Sequence, residues 1–363
     1  LSKPSSLPSM NNNGYAKVAI QFSPLRTLDA LRPHLGIAEV NTGKTFTVGG
    51  PSGIVFSDVE GLHLITDEHG RSVLSSGVEM SVHMYRGQTQ VYSPCLPTLA
   101  RAKHLPEQLL ALCRHAAFEE VIGTHPFVNH CSKIQLFDAP LHIDKKGLAQ
   151  HYGLSTDLID VTSNFDVASF FATCCMDERG KYLPLKFSLK PGVIYRLTTV
   201  SLAHLPNQPE FHYVGWQPLT RPEQQRAAAL RMKKDQDFQS TGGVEKISFK
   251  HCAKVSTRIW KAFDEGRALF PPDAAAELAE KAKHLTEFTR EQINQAWLEL
   301  DAWHGQKSDA AIRQAAELSS GLKEVQAAQL NWDGLNVERD PTRLENQYNE
   351  VLSCVRFRMA RYL

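Results

Sequence analysis

Apolar and polar positions follow two periods along this chain, and the change between them divides it. Residues 17–22 (KVAIQF) alternate and predict a strand. Ser23 as cap, Pro24 as first residue and Pro33 as stop predict a short helix over 24–32. Between 44 and 84 the apolar runs are strand-sized and separated by glycine-bearing turns, at 45–48, 53–56, 62–65 and 73–74. Glu68-His69-Gly70 suits a hairpin between the last two. Residues 80–85 alternate and lead into Arg86.

The period then becomes helical. Leu109, Leu110, Cys113, Ala117 and Val121 form one stripe of a helix over 107–120, with Pro106 where a first-turn proline is tolerated. Residues 144–152 predict a second helix, stopped by Gly153. Ala168, Phe171, Ala172 and Cys175 recur at i, i+3, i+4 and i+7, which predicts a third helix over 166–175. Residues 186–189 and 193–197 read as strands about a Pro191-Gly192 turn, and 245–249 as another. Composition predicts a helix over 221–234. After Phe270-Pro271-Pro272 the chain turns rich in Ala, Glu, Lys and Gln. Residues 273–329 show helical spacing, with Trp297, Leu300 and Trp303 on one face. Asn331-Trp332-Asp333-Gly334 is a break. A last helix is expected over 345–363, its Arg356, Arg358 and Arg361 placed where cations suit the helix dipole.

Two polar clusters abut apolar segments. One is Tyr85-Arg86-Gly87-Gln88, at the end of an alternating run. The other is Asp157 to Asp166, which gathers acids, hydroxyls and an asparagine just before a segment that must be buried. Polar density against a core element marks a cleft, so the two clusters are expected to meet. Bulk numbers narrow the class. A 42% apolar and 22% charged chain of 363 residues suits a globular protein of one large domain or two. A net charge of +1 carries no nucleic-acid or membrane footprint. No apolar run approaches the roughly 18–20 residues of a spanning helix, and residues 1–14 lack the apolar core of a secretory signal. The seven cysteines follow no disulfide framework and read as reduced thiols, hence a cytoplasmic protein. Cys174 and Cys175 have no adjacent base and are not expected to be nucleophiles. No CxxC or HxxxH spacing predicts a metal site.

The clusters together resemble the FRG domain. That family's Phe/Tyr-Arg-Gly-Gln is Tyr85-Arg86-Gly87-Gln88 here, followed by Pro97-Thr98-Leu99-Ala100-Arg101. Its Gln-His-Tyr-Gly-Leu-Pro-Thr-Arg-Leu-Leu-Asp-Trp-Thr is Gln150 to Thr162, leading to Ala168 and Phe171-Ala172. Arg221 to Gln225 matches an Arg-x-x-x-Gln element, and Leu269-Phe270-Pro271 matches a Leu-Phe-Pro element. Ser155, Asp157 and Val161 depart from the pattern, and Asp157 inverts a charge expected in the cleft. The FRG pattern itself is similar to the Arg–Ser–Glu class of ADP-ribosyltransferases, with Arg86-Gly87, Thr162-Ser163, the helix and Glu223-Gln224-Gln225 in the same order. The resemblance implies an α+β fold: a split β-sheet core of ADP-ribosyltransferase type with flanking helices, plus a C-terminal helical segment. It divides the chain into a leader (1–14), a β-rich extension (15–80), the FRG core (81–272) and the helical region (273–363). It makes 221–234 a loop running into a strand, against the composition.

By the same resemblance NAD is the substrate, and the acceptor macromolecule is unspecified. Arg86, Gly87, Gln88, His151, Tyr152, Thr162 and Ser163 would bind the nucleotide. Arg86 suits phosphate oxygens, Gly87 would let backbone approach the ligand, Thr162 and Ser163 would hold ribose, and Tyr152 would stack. Glu223, Gln225 or Asp160 would act at the anomeric carbon, where a carboxylate steadies an oxocarbenium-like state. The resemblance implies a role as a bacterial toxin, effector or phage-defence component. Plainer readings stand beside these: Arg86 pairing an acid, His151 capping or packing a helix end, Asp160 capping a turn, and Thr162 and Ser163 as strand-end hydroxyls. Two other functions fit the chain. One is a non-catalytic nucleotide or ADP-ribose module signalling through the C-terminal helices. The other is a protein-interaction or nucleic-acid accessory protein using those helices.

Overall fold

The computed structural model of the protein describes residues 27–31, 45–48, 54–57, 62–66, 70–76 and 83–356, less 137, 138, 179 and 206. Its centre is an antiparallel sheet of six strands: β1 His83–Gln88, β2 Leu158–Thr162, β3 Gly192–Thr198, β4 Glu210–Tyr213, β5 Ala227–Arg231 and β6 Val244–Phe249. Their order is β4-β5-β2-β1-β3-β6. Strand alternation builds a core on each face. Tyr85, Ile194, Ile247 and Phe249 join one core; Met84, Val193, Tyr195 and Leu197 join the other.

The middle of the sheet is its weak seam. β1 pairs with β3 from Gln88 to His83, and β2 pairs with β5 along its whole length. Between β1 and β2 one pair remains, Tyr85 opposite Thr162. Beyond it the strands part, so the backbone of Arg86–Gln88 and that of Asp160 face an opening instead of each other.

Helix α1 (Leu105–Gly123) precedes β2, as does α2 (Lys145–His151). Asp144 caps α2 by accepting from the Gly147 amide, and Gly153, at φ +82°, follows its end where only a residue without Cβ sits at ease. Helix α3 (Phe165–Thr173) follows β2 directly. The Asn164 side chain caps it by accepting from the amides of Asp166 and Val167. α3 lies across β1 at Gly87. A Cβ there would stand 1.7 Å from the Ala168 carbonyl oxygen, so the glycine admits the helix backbone. Its expected service, bringing backbone close to a ligand, is preceded by this packing need. Helix α4 (Ala253–Ala262) completes that layer.

The C-terminal region comprises α5 (Ala274–Lys283), α6 (Arg290–His304), α7 (Ala310–Ser320) and α8 (Pro341–Ser353). Leu278, Ile293, Trp297, Leu300 and Trp332 share one core with Leu109, Phe118, Leu148 and Tyr152. The helical region therefore packs on α1 and α2 through continuous hydrocarbon. The predicted break holds a buried indole, Trp332, whose Nε1 donates to the Val121 carbonyl at 2.9 Å.

Several expectations are corrected. Residues 221–234 are not one helix. A one-turn helix, Arg221–Gln224, stands where the resemblance implied a loop, and strand β5 follows it. The third helix ends at Thr173, and Cys174–Met176 pairs as a strand with Tyr182–Pro184; 186–189 is not a strand. The last helix ends at Ser353, and Val355–Arg356 pairs in parallel with Leu62–His63. Arg358 and Arg361 lie outside the described residues, as do the predicted leader, the strand at 17–22 and the cap Ser23. Of the first predicted helix, Leu28–Leu31 is described and helical. In the extension, Thr45–Val48 pairs with Ile54–Ser57, and Leu62–Thr66 with Ser72–Ser76. The fold is thus mixed α and β, with a six-stranded sheet.

Candidate functional site

The parting of β1 from β2 opens a cleft of about 440 Å³. Arg86, Gly87 and Gln88 line it from β1, Asp160 and Thr162 from β2, His151 from the end of α2, and Gln225 from the turn before β5. Two segments more than sixty residues apart in sequence therefore meet, as their polarity suggested. Asp160 is the one carboxylate and Arg86 the one guanidinium among the residues that line the cleft.

Each polar group there is held by the fold. Where the strands separate, β1 no longer offers amides to β2. The Arg86 guanidinium takes their place, Nη1 donating to the Asp160 carbonyl at 2.7 Å. Its Nε is buried with no hydrogen-bond partner, an unmet demand that an anion or carbonyl would answer. The Asp160 carboxylate accepts from Gln150 Nε2 at 2.9 Å through Oδ2, and Gln150 is in turn fixed by the Thr156 hydroxyl. Its other oxygen, Oδ1, has no hydrogen-bond partner and faces His151 Nε2 at 4.0 Å.

The state of the His151 ring follows from its neighbour. Gln225 Nε2 donates to the Leu269 carbonyl at 3.0 Å, which orients the amide. Its Oε1 must then accept, so His151 Nδ1, 2.9 Å away, carries a proton. In the neutral ring Nε2 then holds the lone pair, and Nε2 is the atom turned toward Asp160. Gln225, 6% exposed, thus has both ends of its amide committed to the protein. Thr162 is committed too. Its hydroxyl donates to the Gln225 carbonyl at 2.7 Å and accepts from the Asn164 amide at 3.1 Å. Ser163 is not among the cleft-lining residues; its amide donates to the Arg226 carbonyl. Together these bonds fasten a turn that holds Arg226 at φ +49°, a conformation costing a side-chain-bearing residue about 1 kcal/mol or more.

Tyr152 and Glu223 stand elsewhere. Tyr152 is 1% exposed, joins the helical core, and donates its hydroxyl to Asp273. The Arg221 guanidinium lies over its ring, 4.4 Å from the centroid. Glu223 is half-buried outside the cleft lining, and burial pushes its carboxyl above the ordinary range. Asp157, the charge inversion, is not a cleft residue. It pairs with Lys146 at 3.3 Å and Arg231 at 3.5 Å beyond the other edge of β2. The cleft therefore keeps its charge balance despite the substitution.

Sequence reasoning missed the opposite wall. Phe171, Cys174, Cys175, Met176 and Tyr182 line the cleft, along with Tyr92. They arrive there because the chain leaves α3 straight into an antiparallel pair. The lone signal was the polar turn 177–181 between two apolar triplets. Burial pushes the Cys174 thiol up to about 12, which keeps it protonated at neutral pH. Gln150 was also missed as a site residue, though it stands within the motif that flagged His151.

Among the described residues no helix is long and apolar enough to cross a membrane. Neither the curated proteins nor the solved structures contain a match to this chain. Residues 81–181, the stretch carrying β1, α1, α2, β2 and α3 and with them most of the cleft, match the FRG domain.

Proposed function

We propose that the cleft binds NAD and cleaves its nicotinamide–ribose bond, passing ADP-ribose to an acceptor or to water. The observation that carries this reading is a single guanidinium, a single carboxylate oxygen without a partner, and a histidine lone pair around one cleft. Arg86 offers its remaining N–H groups to pyrophosphate oxygens. Asp160 Oδ1 and His151 Nε2, 4.0 Å apart, are too far for a mutual hydrogen bond and well spaced for one hydroxyl between them. In the step itself the C–N bond breaks and its electron pair leaves on the nicotinamide nitrogen. The Asp160 carboxylate offsets the positive charge on the ribose. An incoming hydroxyl or water attacks the anomeric carbon and gives its proton to His151 Nε2. Asp160 takes the electrostatic role here because Gln225 carries no charge and Glu223 lies outside the cleft.

Release of labelled nicotinamide from NAD tests the reading. Turnover is expected in the intact protein, with Asp160→Asn lowering it by about a hundredfold or more at little cost in binding. Arg86→Ala should weaken binding itself. Release that is absent, or indifferent to both substitutions, sinks the proposal. A second reading, a nucleotide-binding module without turnover, draws support from Gln225, which stands where the related enzyme pattern has its catalytic glutamate. Calorimetric heat from NAD or ADP-ribose without nicotinamide release would favour it.

A further inference from the structure

Away from the cleft, His142, Asp144 and His212 bring one donor atom each to within 4.8 Å of one another. They come from two segments: His142 and Asp144 from the approach to α2, His212 from edge strand β4. Asp144 is 3% exposed. Its Oδ1 accepts from the Gly147 amide at 2.9 Å, and its Oδ2 meets His212 Nε2 at 2.7 Å. A Cβ on residue 147 would stand 2.2 Å from Oδ2, so the bare α-carbon of Gly147 leaves the carboxylate its place. Gln217, 1% exposed, braces both segments. Its Oε1 accepts from the Asp144 amide at 2.9 Å, and its Nε2 donates to the Val214 carbonyl at 2.7 Å. The His142 amide donates to the Ser72 carbonyl at 2.7 Å. Among the described residues Asp144 forms an ion-pair contact with His212 and with no lysine or arginine.

We propose that His142, Asp144 and His212 form a site for one divalent transition ion of the zinc class. Two imidazoles and one carboxylate are borderline nitrogen and oxygen ligands, which suit Zn²⁺, Co²⁺ or Ni²⁺ above Mg²⁺ or Ca²⁺. Three protein ligands leave at least one position for water. The Asp144–His212 contact is the proton-bridged form of the same pair. Replacing the proton by an ion at about 2.0–2.2 Å from each donor opens the 2.7 Å separation to about 3 Å or slightly more. Gln217 fixes the backbone that carries the ligands, through the Asp144 amide and the Val214 carbonyl. A second carboxylate–imidazole cluster, His115, Glu119 and Glu299, differs in one decisive respect: Lys146 Nζ already stands 2.9 Å from Glu299 as its cation. The proposed ion would pin the start of α2 to the sheet edge, and the far end of that helix carries Gln150 and His151. Its existence does not depend on the reaction proposed above.

The test uses the full chain, stripped with a chelator and titrated with Co²⁺. One equivalent should produce visible ligand-field bands, displaced by one equivalent of Zn²⁺, and Zn²⁺ should raise the thermal midpoint. His142→Gln and His212→Gln should each weaken binding by about a hundredfold. Asp144→Asn should do the same while keeping the cap, since asparagine caps as well as aspartate. His142 lies outside the capping bond, so its variant keeps the test readable if the others unfold. His115→Gln should bind as the parent does. Absence of ligand-field bands, an intense thiolate charge-transfer band, or undiminished binding in the His142→Gln variant overturns the proposal.

Discussion

Gln225 is fixed by two partners of opposite kind, the Leu269 carbonyl at its nitrogen and the His151 ring at its oxygen. An amide satisfies both because it donates at one end and accepts at the other. A carboxylate cannot. Gln225→Glu sets an acceptor against the Leu269 carbonyl in a buried place. Urea denaturation at neutral pH should show a loss of about 1–3 kcal/mol. Because a protonated glutamate donates, much of that loss should return as the pH is lowered through the carboxyl range. A variant as stable as the parent at neutral pH would mean that the Leu269 bond does not fix the amide, and the assignment of the proton to His151 Nδ1 would fall with it.

At the scale of elements, the packing of α3 on β1 decides where the cleft can open. The helix reaches the strand because Gly87 has no Cβ, and the obstacle to one is helix backbone, which cannot rotate aside. Gly87→Ala should therefore cost about 3 kcal/mol or more by chemical denaturation, at the upper end of ordinary overpacking. An alanine variant within about 1 kcal/mol of the parent would mean that the helix slides freely on the strand. Periodicity made much of this frame legible: β1, β3, β6, α1 and α2 fall where alternation, helical stripes and the Gly153 stop placed them. It misread β5, whose Ala227-Ala228-Ala229-Leu230 are good helix formers. Small residues fit there because β5 is covered on both flanks by β4 and β2 and buried along most of its length; tertiary burial overrides propensity. Arg86, Gly87, Gln88, His151, Asp160, Thr162 and Gln225 were legible as neighbours around one cleft because motif and polarity agreed. Tyr152 was not, since a residue next to His151 at a helix end points roughly 100° away, into the helical core. Nor does a sequence show that two strands keep one ladder pair and part beyond it, which is what makes the cleft.

Across the whole molecule, the sheet and the C-terminal helices are tied by charge as well as by hydrocarbon. Fully buried His115 on α1 stands between Glu119 at 3.1 Å and Glu299 of α6 at 3.6 Å. Glu299 also meets Lys146 of α2, which reaches Asp157, and Asp157 meets Arg231 of β5. Burial opposes a charge on His115, yet the two carboxylates outweigh it and raise its pKa from 6.5 to about 10. Burial likewise opposes the Glu299 charge, but His115 and Lys146 hold that carboxyl far below its ordinary 4.5. The signs give a window. A raised histidine contributes fully below pH 6.5, where the unfolded chain is protonated as well, and its contribution is lost as pH climbs toward 10. A depressed glutamate contributes fully above pH 4.5 and loses its contribution as pH falls below that. The network should therefore support folding best between about pH 4.5 and 6.5. Stability should decline from pH 7 to 9 with a slope approaching 1.4 kcal/mol per pH unit for the one proton involved, about the limit for a single group. His115→Gln should be less stable at pH 6 and should flatten that alkaline slope, because glutamine fills the site without binding the proton. Denaturation curves at a series of pH values decide the matter. A parent protein with level stability from pH 6.5 to 9, or a variant that keeps the parent's slope, would show that His115 is neutral in the folded chain and that the charge tie rests on Lys146 and Glu299.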